Sequence, residues 1–104
     1  MNLLIDKYHN NVDTVVKIAG EIDAFTAPQL RDELLPLAEG KNQSIVISLK
    51  DVSYLDSTGL GVFVGLFKQL KKNEGELKLV DLSDRLKRLF EITGLSNIIT
   101  IATN

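Results

Sequence analysis

The residues best suited to chemistry in this chain form one run, Asp56-Ser57-Thr58-Gly59-Leu60-Gly61: a carboxylate and two hydroxyls, then spaced glycines. The spacing predicts a buried strand just ahead of the run, over residues 45–49. An amphipathic helix is predicted just after it, with Phe63, Leu66, Phe67 and Leu70 at the i, i+3, i+4, i+7 positions of one apolar face. Hydroxyls at such a junction have two uses. One is capping, in which an oxygen of Ser57 or Thr58 accepts from a backbone N–H left unpaired in the first helical turn; Asp56 could do the same. The other is exposure, because a hydroxyl at a strand-to-helix junction is easy for another protein to reach. Three polar residues stand where one cap would suffice, and the surplus points to a second use.

Catalysis by Ser57 itself would need a base, and His9 is the only histidine. It falls in the turn-forming trio His9-Asn10-Asn11, at the sheet edge opposite Ser57, and reads as a solvated turn residue. One histidine and no cysteine disfavour a metal site and exclude disulfides and thiolate chemistry. Gly59-x-Gly61 after a strand is incomplete as a dinucleotide fingerprint. The next glycine, Gly65, falls one place late, and no acidic residue ends a following strand where a ribose contact needs it. Asp56-Ser57-Thr58-Gly59 carries one residue more than the Asp-Thr-Gly of aspartic proteases and leads into a helix. Gly59, Gly61 and Gly65 each cost roughly 1 kcal/mol against alanine in a helix. Close packing of helix on sheet, close approach of a partner surface, or both would account for them.

The elements that must position this run follow from the pattern around it. Residues 3–8 and 14–18 read as two strands of an antiparallel hairpin at one edge. Residues 20–25 lead into a helix in which Thr26 and Gln29 have capping-box spacing and Leu30, Leu34, Leu37 and Ala38 form the apolar stripe. Pro36 lacks an N–H and predicts a kink or an early stop there. A second helix is expected over 57–73, a strand over 77–80, and a shorter helix capped by Ser83 or Asp84 that carries Leu86, Leu89, Phe90 and Ile92. Gly94 sits where a left-handed C-cap is wanted, and residues 98–101 make a last strand. The order β-β-α-β-α-β-α-β implies an α/β fold: a mixed, mostly parallel sheet with an antiparallel N-terminal edge hairpin. Right-handed crossovers in one direction place the helices mainly on one face. Lys17, Ser48 and Lys78 agree, since strands covered on both faces read as unbroken apolar runs. Segments 20–25, 51–56 and 81–83 then all leave carboxyl ends of parallel strands and cluster on one sheet edge, bringing Asp23, Asp56 and Ser57 together.

At 104 residues, 44% hydrophobic and 25% charged, the composition is that of one ordinary globular domain, 1–104. A net charge of -2 argues against nucleic-acid binding, for which a basic face is expected. Residues 1–7 lack the start of a secretory signal, and the apolar run 60–67 is far short of the ~20 residues a membrane span needs. A soluble cytoplasmic protein with no membrane contact is the expectation.

Residues 51–65, Asp51-Val52-Ser53-Tyr54-Leu55-Asp56-Ser57-Thr58-Gly59-Leu60-Gly61-Val62-Phe63-Val64-Gly65, closely resemble the phosphorylation segment of bacterial anti-sigma-factor antagonists of the STAS domain family. Gly20-Glu21-Ile22-Asp23-Ala24-Phe25-Thr26-Ala27-Pro28 is similar to that family's second signature, and Arg88-Leu89-Phe90-Glu91-Ile92-Thr93-Gly94-Leu95 to its third. Together they span nearly the whole chain, and the Asp-Ser-Thr-Gly-Leu-Gly form is most similar to the general-stress (sigma-B) branch. The resemblance implies a single STAS-like domain acting as an anti-anti-sigma factor in partner switching. In that family the unphosphorylated form binds an anti-sigma factor that is also a serine kinase, freeing the sigma factor for stress-response transcription. The kinase uses ATP to phosphorylate the serine matching Ser57, which breaks the complex, and a PP2C-type phosphatase reverses the step. Thr58 is a second hydroxyl beside that acceptor. The implied partner-binding set is Asp23, Thr26, Asp56, Ser57, Thr58, Gly59 and Gly61, with no catalytic residue, no metal and no cofactor of the chain's own. An alternative is a STAS-type domain that binds a nucleotide or other small ligand, or serves as a scaffold subunit of a stress complex. A phosphate on Ser57 would meet free N–H groups and the helix macrodipole, so the modification is expected to be a local surface event that leaves the domain folded.

Overall fold

In the computed structural model the described residues are 3–102, so residues 1–2 and 103–104 of the expected 1–104 unit lie outside them. Asn10 makes the first turn: its side-chain oxygen accepts from the N–H groups of Val12 (2.9 Å) and Asp13 (2.6 Å). The strands on either side, β1 (Leu3–His9) and β2 (Thr14–Ile22), pair antiparallel from His9↔Thr14 to Leu3↔Gly20. Helix α1 (Ala27–Leu34) then stops where Pro36 withholds a donor, and the chain tightens into a 3-10 turn over Leu35–Ala38. Strand β3 (Ser44–Leu55), helix α2 (Ser57–Lys72), strand β4 (Glu76–Val80), helix α3 (Asp84–Ile92), a second 3-10 turn (Leu95–Asn97) and strand β5 (Thr100–Ile101) complete the order.

The strands stand in the sheet in chain order, β1-β2-β3-β4-β5, and only β1 and β2 run antiparallel. Every parallel crossover therefore steps the same way, and right-handed connections put the three helices on one face. The core lies between. Val16, Ile18, Ile45, Ile47, Leu49, Leu77 and Leu79 supply the sheet side, and Leu30, Leu34, Phe63, Leu66, Leu70, Leu86 and Phe90 the helix side. Phe63 and Phe90 meet at 6.3 Å with their rings tilted by 59°, which joins α2 to α3. Lys17 and Lys78 stay exposed between buried neighbours, and the Lys17 ammonium stands 5.7 Å over the Tyr8 ring.

Three elements depart from the sequence pattern. Strands β2 and β3 run well past the apolar stretches 14–18 and 45–49. Pairing of β3 with β4 ends at Ser48↔Val80, but β2 and β3 continue together to Ile22↔Leu55 as a ribbon that β1 flanks only as far as Leu3↔Gly20. Two register shifts, between Lys17/Ala19 and Gly20/Glu21, each give β3 one extra residue, and bulges of this kind add twist. Gly20 takes a φ of 122 at the second shift, a conformation that suits glycine. With a partner on one side only, β3 there hides Val52 and Leu55 while Asp51, Ser53 and Tyr54 face solvent, so its sequence reads as loop. The last strand is shorter than the 98–101 expected, because the Ile98 N–H closes the preceding turn onto Leu95 O (3.1 Å).

Candidate functional site

The ribbon delivers two chain segments to one place. Ile22 and Leu55 are paired, and Asp56 N–H donates to Ile22 O at 3.2 Å, so β2 ends at Asp23 beside the point where β3 ends at Asp56. Asp56 has extended backbone (φ -111, ψ -173), the conformation of a residue just outside a helix. Its Oδ1 accepts from Thr58 N–H (3.0 Å) and Gly59 N–H (3.1 Å). The cap is therefore Asp56, the choice the three polar residues left open. Ser57 and Thr58 become the first two helical residues, both exposed, and among the described residues neither side chain makes a hydrogen bond. The expectation of free N–H groups around a Ser57 anion needs correcting: two of the leading donors already serve the Asp56 carboxylate, itself a negative charge next to Ser57.

The glycines divide cleanly. Gly59 is buried, and a Cβ there would overlap Leu55 Cδ1 and lie 2.5 Å from Ile22 Cγ2, so helix-on-sheet packing explains it. Gly61 and Gly65 are exposed, and a Cβ on either would have nothing within 4 Å. Packing does not explain them.

On the β2 side the expected capping box does not form. Thr26 stands before the first residue of α1, but its backbone is already helical and its side chain caps nothing. Instead its hydroxyl, on a residue only 5% exposed, donates to Glu21 O (2.8 Å) and accepts from Asp23 N–H (2.9 Å). Asp23 Oδ1 accepts from the N–H groups of Phe25 (2.9 Å) and Thr26 (3.0 Å), a local turn that takes over the capping work. Gln29, free of the box, donates to Leu3 O (3.1 Å) and Glu33 Oε2 (3.2 Å). With the Lys7–Glu33 ion pair at 3.3 Å, this ties α1 to the edge strand.

Of the residues expected at a contact surface, Ser57, Thr58 and Gly61 are exposed, Asp23 and Asp56 half-buried, and Thr26 and Gly59 buried beneath them. His9 lies at the other end of the hairpin, where its Nδ1 is 3.0 Å from Thr14 Oγ1. Among the described residues, no group of three His, Asp or Glu side chains could hold a metal ion, and no helix is long and apolar enough to cross a membrane. Two surface features were not foreseen. Phe25, inside the Asp23 turn, is 88% exposed. A cavity of about 290 Å³ lies between the ribbon and α3, lined by Tyr54, Leu55, Leu86, Leu89 and Ile92 with Arg85 and Arg88. An aromatic set in a polar turn just ahead of a helix-starting proline was the available signal for Phe25.

The STAS domain family matches the chain over residues 4–104. An anti-sigma-B factor antagonist of Bacillus subtilis is 59% identical over 102 residues, covering 98% of this chain and 93% of the relative. One from Listeria monocytogenes is 51% identical, covering 97% and 90%. Among solved structures, an anti-sigma factor antagonist from Mycobacterium paratuberculosis is similar with a TM-score of 0.86 at 26% identity, covering 99% of this chain and 87% of that one.

Proposed function

Because this chain belongs to the STAS domain family, with anti-sigma-B factor antagonists as close relatives, we propose that it is a phosphorylation-switched partner of an anti-sigma factor that is also a serine kinase. Its general role is that of an anti-sigma factor antagonist, a regulatory protein rather than an enzyme. In the finer reading the unphosphorylated form docks on the anti-sigma kinase through the edge carrying Asp23, Asp56, Ser57, Thr58 and Gly61, with Thr26 and Gly59 supporting it from below. The sigma factor is released, and stress-response transcription rises. ATP belongs to the kinase, which phosphorylates Ser57, and a PP2C-type phosphatase removes the group. The exchange takes place in the cytoplasm, and this chain itself contacts neither nucleic acid nor membrane.

The observation that carries this reading is the Ser57 hydroxyl. It is exposed at the end of the β2–β3 ribbon and has no structural task, because Asp56 does the capping. A phosphate there adds about -1.5 to -2 charges and three acceptor oxygens. The helix dipole tolerates an anion at this end, so the fold survives. The new charge nevertheless lies next to the Asp56 carboxylate, and a docking partner would have to desolvate both. Such like-charge juxtaposition costs several kcal/mol, and about 1.4 kcal/mol is a factor of ten in affinity.

The test is incubation with ATP and the cognate anti-sigma kinase, read by intact mass and site mapping. One added phosphate on Ser57 is expected, and none on Ser57→Ala, which still binds. Ser57→Asp should weaken binding with Tm nearly unchanged. Normal labelling of the alanine variant would move the acceptor to Thr58 or elsewhere, and a large loss of Tm in the aspartate variant would replace surface repulsion by unfolding.

A further inference from the structure

We propose that Phe25 is the aromatic anchor of the docking edge and that Asp23 acts as its positioning residue; this rests on the partner-binding reading above. Phe25 is 88% exposed, the most exposed of the large hydrophobic side chains among the described residues. A lone exposed apolar side chain is ordinary on any surface, as Val12 in the hairpin turn illustrates at 80%. What sets Phe25 apart is its mounting. Asp23 Oδ1 accepts from Phe25 N–H and Thr26 N–H, Ala27 N–H donates to Asp23 O at 2.8 Å, and the buried Thr26 hydroxyl bridges Asp23 N–H and Glu21 O. The backbone on both sides of the ring is pinned, so only two side-chain torsions remain to be ordered on binding. Rigid aromatics with few torsions supply contact area at low entropic cost.

The location agrees. Phe25 follows Ile22 by three residues, and Ile22 is paired with Leu55, two residues before Ser57. An apolar ring and a bare hydroxyl thus share one sheet edge, with the half-buried Asp56 carboxylate between strand and helix. The occupant that fits is a folded protein with an apolar recess for a phenyl ring, next to a polar surface that accepts Asp56 and reaches Ser57. Aromatic side chains seated in such recesses carry a disproportionate share of interface energy. In this arrangement Asp23 Oδ1 holds the turn, and the part of Asp23 in binding is assigned to that hold on Phe25 rather than to its charge.

The test measures affinity of the purified cognate anti-sigma kinase, without ATP, for wild type, Phe25→Ala, Asp23→Asn and Asp23→Ala, together with the Tm and sedimentation of each. Phe25→Ala should bind at least tenfold more weakly with Tm unchanged, as a side chain 88% exposed requires. Asp23→Asn keeps an Oδ1 acceptor for both N–H groups and should stay within about threefold of wild type, while Asp23→Ala loses as much as Phe25→Ala. Equal binding by wild type and Phe25→Ala would overturn the inference, as would an Asp23→Asn loss matching that of Asp23→Ala, since the charge would then be the contact. A wild-type dimer dissolved by Phe25→Ala would also overturn it, by making a second copy the occupant. Failure of the wild type to bind at all would instead remove the functional reading beneath it. Should Asp23→Ala fail to fold, Phe25→Ala and Asp23→Asn decide the matter alone.

Discussion

Alanine at each of the three α2 glycines asks why an otherwise good helix carries them. At Gly61 and Gly65 a new methyl meets nothing within 4 Å, so the change acts through helix propensity alone. That is worth about 1 kcal/mol per site and about 2 kcal/mol for the double variant. In a domain of this size each kcal/mol raises Tm by about 4 °C or slightly more. At Gly59 the same gain of about 1 kcal/mol is opposed. The methyl would sit 2.5 Å from Ile22 Cγ2, where carbon atoms prefer roughly 3.5–4.0 Å. Leu55 can swing its δ-methyl aside, but Ile22 is fully buried and branched at Cβ, hence stiff. Overpacking of that kind costs about 1–3 kcal/mol, leaving Gly59→Ala between neutral and about 2 kcal/mol less stable. Urea unfolding followed by circular dichroism measures all four variants, with m expected constant. Destabilisation by Gly61→Ala or Gly65→Ala, or a gain at Gly59 equal to theirs, would refute the packing account. The same proteins then go onto the partner. If the bare backbone exists for close approach, the more stable variants bind more weakly, whereas unchanged affinity would take this helix face out of the docking surface.

Asp56→Ala should lose about 1 kcal/mol, as removal of an N-cap acceptor does, and Asp56→Asn should recover most of it. Ser57→Ala should leave the urea midpoint in place; a loss as large as that of Asp56→Ala would transfer the cap to the serine. Thr26→Val keeps the shape but strands Glu21 C=O and Asp23 N–H beneath α1, and should cost about 1–3 kcal/mol in the same assay. A change of a few tenths only would mean that those two groups find other partners.

Element order, the edge hairpin, the stop at Pro36 and the left-handed Gly94 (φ 78) were legible because each depends on local periodicity or on one residue's backbone limits. The ribbon was not. Beyond Ser48 only β2 pairs with β3, so one flank of the strand faces water, and Asp51, Ser53 and Tyr54 imitate a loop. The two register shifts disturb strict alternation as well. At the site, topology alone placed Asp23, Asp56 and Ser57 on one edge, where the ends of β2 and β3 do meet, whereas a contact role for Asp23 came only from the family resemblance. Which oxygen capped the helix depended on where β3 ended, and three adjacent polar residues carry no record of that. Thr26 and Gln29 matched a capping box by spacing, yet Glu21 O and Leu3 O, set in place by the sheet, drew their side chains elsewhere. Gly59 differs from Gly61 and Gly65 only in what lies across from it, which is tertiary information.

The paired ends of β2 and β3, which outrun β4, work as a cantilever. Each strand stiffens the other, the tie from Asp56 N–H to Ile22 O closes its tip, and the serine is mounted on the end of a beam. Under the proposed switch, a kinase that threads a limp peptide through its cleft would find nothing to thread. It would have to present a complementary contour and meet the tip where it stands, so an excised peptide of the same letters would be a poor stand-in for the whole.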